Sequence, residues 1–346
     1  MASLTYQQAG FVLKRPGTGA TDAQIRDLQR HLRALGYLRR GIDGAFGGGT
    51  EGAVKGLQHD LLHNDGGGND SQAPVKVLDY NNGRVAAVTG EVDQGLAACI
   101  AEMLDDAAFA KLPFAEDPVA RNAEIPDTFA ALPPGTAPGP FLLAILSRES
   151  NLKHFHEPRP GDEDTFVVVG LDRNADETHI VTSRGYGVGQ FTLFHHPPRA
   201  EEVEDFMTDV GRNLQKAADE LRDKFDGFVN GATSGTQADD RLAEFGAGAL
   251  RVCKFAEGDP RFMKDCKNCA RDAGNLDIVA NVTPWYEGSS RNYGPTQYYD
   301  YTRLDFSGVP VRAKVGCDWP YAVRRYNGSG PNSYNYQALV VKNLLG

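Results

Sequence analysis

The chain lacks any stretch approaching about 18 uninterrupted apolar residues, so a helical membrane span, and with it membrane insertion, is not expected. It also lacks a basic excess. Its 36 Lys and Arg stand against 46 Asp and Glu, a net charge of −10, which argues against a partner as rich in phosphate as nucleic acid. The opening, MASLTYQQAGFVLKRPG, has neither a basic n-region nor a long apolar segment, so a protein made in the cytoplasm without a cleaved signal peptide is expected. No Lys-Ser/Thr pattern accompanies the glycine-rich run SRGYGVGQFT (183–192), which argues against a phosphate-cradling loop.

Hydrophobic residues make up 41% of 346 positions, enough for real cores and too long for one of ordinary size, so two domains are expected, one small and one large. Residues 1–20 read as an N-terminal tail. TDAQIRDLQRHLRAL (21–35) opens with a capping box, Thr21 with Gln24, and repeats Ile25, Leu28, Leu32 and Leu35 at helical spacing before Gly36 ends the helix. A loop, GIDGAFGGG, leads to Thr50 as the next expected N-cap, with Ala53, Val54, Leu57 and Leu61 on one face. A third helix carries Val92, Leu96, Ile100 and Met103.

The stretch LQRHLRALGYLRRGIDGAFGGGTEGAVKGLQ resembles the peptidoglycan-binding domain 1 family in its LQ-x-x-L-x-x-x-G-Y, I-D-G-x-F-G, T-x-x-A-V and closing LQ elements. The resemblance covers 21–105, with a polar insertion, HNDGGGNDSQAPVKVLDYNNGR, between the second and third helices. It implies binding of bacterial peptidoglycan by the groove near Asp43, Gly44, Phe46 and Thr50.

Residues 106–139, rich in Ala, Pro and acidic side chains, read as a linker. Pro140 then suits the first turn of the helix FLLAILSRESNL. Leu142, Ile145, Leu146 and Glu149 share one face of it, and a carboxylate on an apolar face is paired, neutral or functional. Helices are also expected over 201–225, 241–255 and 335–345, and 284–306 is an aromatic, loop-rich stretch.

The helix ending in Glu149, the run SRGYGVGQF and the segment AVRRYNGSGPNSYNYQALVVKNL resemble, in that order, motifs of lytic transglycosylases and goose-type lysozymes. The expected fold is therefore mainly α, a small three-helix module followed by an α+β lysozyme-like domain at 140–346 with a small hairpin and loop insertions at about 155–182 and 256–319. The resemblance implies Glu149 as the general acid and base for cleaving a β-1,4 glycosidic bond, with Ser183, Gly187, Gln190, Tyr326 and Asn327 at the substrate. A hydrolase working by inversion needs a second carboxylate, for which Asp172, Asp176 and Glu177 are candidates, whereas a transglycosylase needs none.

No cofactor is required for that chemistry. Of the five cysteines, Cys99 lies on an apolar helical face, while Cys253, Cys266, Cys269 and Cys317 leave a structural zinc, two disulfides and free thiols all open. His154, His156, His195 and His196 read as solvated loop residues rather than metal ligands. The expectation is a monomeric, wall-degrading enzyme such as an endolysin, reaching the periplasmic wall by holin-type release or a secretion machine. The alternatives are an inactive wall-binding or phage structural protein, and a wall-targeted metal-dependent amidase or peptidase.

Overall fold

The computed structural model describes all residues except 1–3, 8–9, 18, 69–70, 230–250, 273–316 and 328–331. The chain forms two compact units, Met1–Ala131 with Leu152–Leu214, and Leu132–Asn151 with Gln215–Gly346.

In the first unit, α1 (Asp22–Ala34) starts with the expected capping box, the Thr21 hydroxyl accepting from Gln24 N and the Thr21 N–H donating to Gln24 Oε1 at 2.9 Å. Gly36, at φ +77°, follows the C-cap in the left-handed region where a Cβ is disfavoured. Helix α2 (Gly48–His63) is capped by Gly47 rather than Thr50, because the Thr50 hydroxyl is drawn inward to Gln29 and Ala45. Helix α3 (Gln94–Asp105) is capped by Asp93, and Leu28, Leu32, Val54, Leu57, Leu96 and Ile100 fill the shared core.

That core takes in more chain than the helical periodicity suggests. Tyr6 and Leu13 of the expected tail are buried in it, and Leu13 exchanges backbone hydrogen bonds with Val92. The expected linker forms α4 (Pro118–Ala123) and α5 (Ile125–Ala130) and buries Phe109, Leu112 and Ile125. Between α2 and α3 lie the short antiparallel strands β1 (Gly67–Gly68) and β2 (Ser71–Gln72).

An antiparallel sheet of order β3-β4-β5 completes the unit, with β3 (Val169–Arg173), β4 (Val181–Tyr186) and β5 (Phe191–Leu193). Its hairpin forms with Val169 opposite Tyr186 and Leu171 opposite Arg184, which turns Tyr186 and Val169 into a second core with Ile42, Leu112, Phe155 and Val167. The segment 152–214 thus folds with the N-terminal residues, a different division from a single 140–346 domain. Its buried Asp164 receives Arg33 Nε of α1 at 3.0 Å, and such a pair is tolerated only where both charges are matched. After β5 come α7 (Ala200–Glu202), a π turn at 203–207, and α8 (Val210–Asp223), so the expected 201–225 helix is interrupted at Thr208 and Asp209.

The second unit holds α6 (Gly139–Ser150), α9 (Cys266–Asp272), α10 (Trp319–Tyr326) and α11 (Asn332–Leu345). Pro140 lies in the first turn of α6 as expected, and Asn151 ends the helix at φ +56°. Phe141, Leu142, Ile145 and Leu146 of α6 are buried, as are Ala322 and Val323 of α10 and Val340 and Val341 of α11, and α6 and α10 both pack on α11. Phe225 stacks on Trp319 with ring centres 4.0 Å apart. Most of the expected 241–255 helix and all of 284–306 lie outside the described residues, and 251–255 is not helical.

Candidate functional site

Helix α6 places Glu149 one turn beyond Ile145 and Leu146, half-buried at the end of the face that packs on α11. There the Tyr336 hydroxyl donates to Glu149 Oε1 at 2.5 Å. Burial first, then the Glu149 charge and hydrogen bond, push the Tyr336 phenol well above its ordinary pKa, so it keeps its proton and acts as a donor. Tyr326, at the end of α10, is raised well above its ordinary value by burial and by the charges of Glu149 and Glu220. One protonated phenol, Tyr336, is therefore bonded to the carboxyl and a second, Tyr326, feels its charge, an arrangement that suits proton transfer. Asn327 is exposed and its N–H closes α10 onto Arg325 O.

Sequence reading missed Tyr336 and Glu220. Tyr336 heads a buried stripe with Val340 and Leu344 at steps of four, and that spacing was the available signal. Glu220, on α8 and ion-paired with Lys224 at 2.8 Å, carried no motif of its own.

Ser183, Gly187, Gln190, Asp172, Asp176 and Glu177 belong to the first unit. Ser183 Oγ donates to Asp172 Oδ2 at 2.6 Å across the hairpin. Asp176 and Glu177 sit exposed in the hairpin loop, their N–H groups held by Asn174 Oδ1. Gln190, at φ +52°, donates from Nε2 to Gly187 O at 2.7 Å and so buttresses its own turn. The glycines of this turn admit other protein groups close to their backbone. A Cβ on Gly187, at φ +73°, would stand 2.6 Å from both Asn213 Nδ2 and the His154 ring, and one on Gly170 would stand 2.4 Å from Gln190 Oε1. Asn213 is the brace of this turn, accepting from Gly189 N at 2.7 Å and donating to Tyr186 O and Phe206 O.

The histidines read as solvated are largely interior. His154, His195 and His196 are buried, and His154 bonds Met207 O through Nε2 at 2.9 Å. Burial lowers His154 and His156 to about 4. His195 pairs with Glu202 at 2.9 Å. Among the described residues no group of three or more His, Cys, Asp or Glu stands arranged to hold a metal ion, and the five cysteines are free thiols.

In the N-terminal module the motif residues mostly shape their own loop. Gln29 of α1 donates to Asp43 Oδ1, Ala45 O and Thr50 Oγ1 and accepts from Gly44 N at 2.9 Å. Phe46 and Thr50 are buried, and Asp43 alone of the four is fully exposed.

The geometry defines a mainly helical chain with a small, loop-braced helical module toward its N-terminus. Residues 21–61, α1 through α2, match the family described as a putative peptidoglycan binding domain, which supports an N-terminal peptidoglycan-binding module and points to the cell wall. No curated protein and no solved structure matches the chain. No helix among the described residues is long and apolar enough to cross a membrane.

Proposed function

We propose that the chain is a peptidoglycan-degrading glycosidase that cleaves the β-1,4 bond between N-acetylmuramic acid and N-acetylglucosamine, with Glu149 as general acid and base. The observation that carries this reading is the Tyr336 hydroxyl bonded to the Glu149 carboxyl at 2.5 Å, on a helix face otherwise used for packing. Glu149 protonates the departing glycosidic oxygen as an oxocarbenium-like centre develops. In a transglycosylase it then takes a proton from the muramyl 6-hydroxyl, closing a 1,6-anhydro ring, whereas in a hydrolase working by inversion a second carboxylate takes the proton from water. Glu220, whose charge reaches the same Tyr326 phenol, is the candidate second carboxylate for that variant. The N-terminal module raises the enzyme's effective concentration on the insoluble wall. The site of action is the wall of the periplasm, reached by holin-type release or a secretion machine, with the protein acting as a monomer.

The test is mass spectrometry of purified peptidoglycan digested by the full chain and by Glu149→Gln. Anhydromuramyl ends made only by the parent protein support a transglycosylase, and new reducing muramic ends a muramidase. Cleaved stem peptides, or equal clearing by both proteins, overturn the reading. A wall-binding protein without catalysis is the second reading, favoured by a family match confined to residues 21–61.

A further inference from the structure

The sequence brings four cysteines to one place by separate routes. Asp318, fully buried, accepts from Arg251 N at 2.8 Å and Arg251 Nη2 at 3.2 Å, while its own N–H donates to Arg251 O at 2.9 Å. Trp319 Nε1 adds a bond to Val252 O at 2.8 Å. These four bonds clamp the segment carrying Cys253 against the start of α10, just after Cys317. Helix α9 supplies Cys266 and Cys269, three residues apart and thus neighbours on one helical face. All four thiols line a single pocket with Met263 and Trp319.

A hydrogen-bond donor is aimed at one of the sulfurs. Met263 N–H donates to Cys253 Sγ at 3.4 Å. A thiol sulfur is a weak acceptor and a thiolate a strong one, so the Met263 N–H is better matched to a charged Cys253 sulfur. Such bonds are the outer shell that orients and tunes thiolate ligands.

We propose that Cys253, Cys266, Cys269 and Cys317 form a structural site for one thiophilic divalent cation, zinc in the first instance, that fastens the 251–272 segment to α10. Four sulfurs satisfy the tetrahedral preference of zinc and leave no open position, which makes the site structural and separate from the Glu149 chemistry. The thiols are free in this structure, and among the described residues no group of three or more stands arranged to hold a metal ion, so occupancy requires the four sulfurs to move closer together. Without an ion, burial is the main cause that raises Cys266 and Cys317, the latter to about 12, with the other cysteines adding to it. A dication reverses that balance, releasing thiol protons to solvent as it binds.

The experiment uses the full chain, purified reduced in metal-free buffer from zinc-supplied cells. Elemental analysis is expected to find one zinc per chain, released by an organomercurial as the four thiols titrate. Exchange for cobalt is expected to give the visible spectrum and sulfur-to-cobalt charge transfer of a tetrahedral thiolate site. Cys266→Ser with Cys269→Ser should abolish both signals, while Cys99→Ser and Glu149→Gln retain them. Absence of stoichiometric metal with all thiols free, or disulfides among these four cysteines by mass spectrometry, overturns the proposal. Should the double variant fail to fold, the cobalt spectrum of the parent chain decides the matter alone.

Discussion

Tyr336 and Glu149, 187 positions apart in the chain, meet at 2.5 Å. Under the glycosidase reading, Glu149→Gln should lower wall clearing by roughly 10²–10⁴-fold, the usual worth of a positioned acid. Tyr336→Phe should cost roughly tenfold, the equivalent of one hydrogen bond to a charged group. It should also move the alkaline limb of the activity profile to higher pH, since losing a donor to the carboxylate favours its protonated form. Turbidity clearing of purified peptidoglycan across pH measures both, and an unchanged profile for Tyr336→Phe would remove that tyrosine from the site.

Arg33 and Asp164 are both buried and 3.0 Å apart. Arg33→Met should destabilise the first unit by about 3–5 kcal/mol, because it leaves Asp164 charged and unmatched. The double variant Arg33→Met with Asp164→Leu should recover most of that loss. Urea titration of the three proteins gives the comparison, and a double variant no better than the single one would contradict it.

His154 titrates near 6.5 when unfolded and near 4 in the fold, chiefly because burial penalises its charged form. Between those values the unfolded chain binds more protons, so stability is complete above pH about 6.5 and falls as the pH drops toward 4. The full difference is roughly 3 kcal/mol. His156 contributes with the same sign. Thermal midpoints between pH 7 and pH 4.5 should decline more steeply for the parent protein than for His154→Gln; parallel curves would refute this.

Gln29 holds the 43–50 loop through four hydrogen bonds. Gln29→Ala should destabilise the module by about 1–3 kcal/mol, since it orphans buried partners. Cosedimentation with insoluble peptidoglycan should weaken in parallel. Full retention of wall binding at unchanged stability would show that the loop's shape is set elsewhere.

Local rules carried the helical module. Thr21 with Gln24, and Gly36 past the last turn, are decisions made within a few residues, and the sequence shows them directly. The same locality misled at Thr50, where a side chain of good capping type is claimed by Gln29 from another helix. Glu149 was legible as a carboxylate on an apolar stripe, but its partner was not. Choosing Tyr336 over Tyr326 depends on how α6 lies on α11, which helical period does not specify. The packing around the glycine-rich turn was not legible for a related reason. Only the fold reveals that Asn213 and His154 already occupy the space that the absent Cβ of Gly187 leaves.

The second unit starts at Leu132, breaks off at Asn151 and resumes at Gln215. On the ribosome, α6 emerges long before α11, so the carboxyl that carries the proposed chemistry waits for its phenol until residue 336 has been translated. A nascent or truncated chain that stops short of α11 holds the wall-binding module and Glu149 but not the donor that positions it. Cutting at residue 140 fares no better, because the fragment keeps 152–214 and loses Arg33 and Ile42, the residues that segment folds against. Competence for the proposed chemistry is thereby tied to completed synthesis, and the N-terminal module and the proposed site cannot be exchanged between proteins by a single splice.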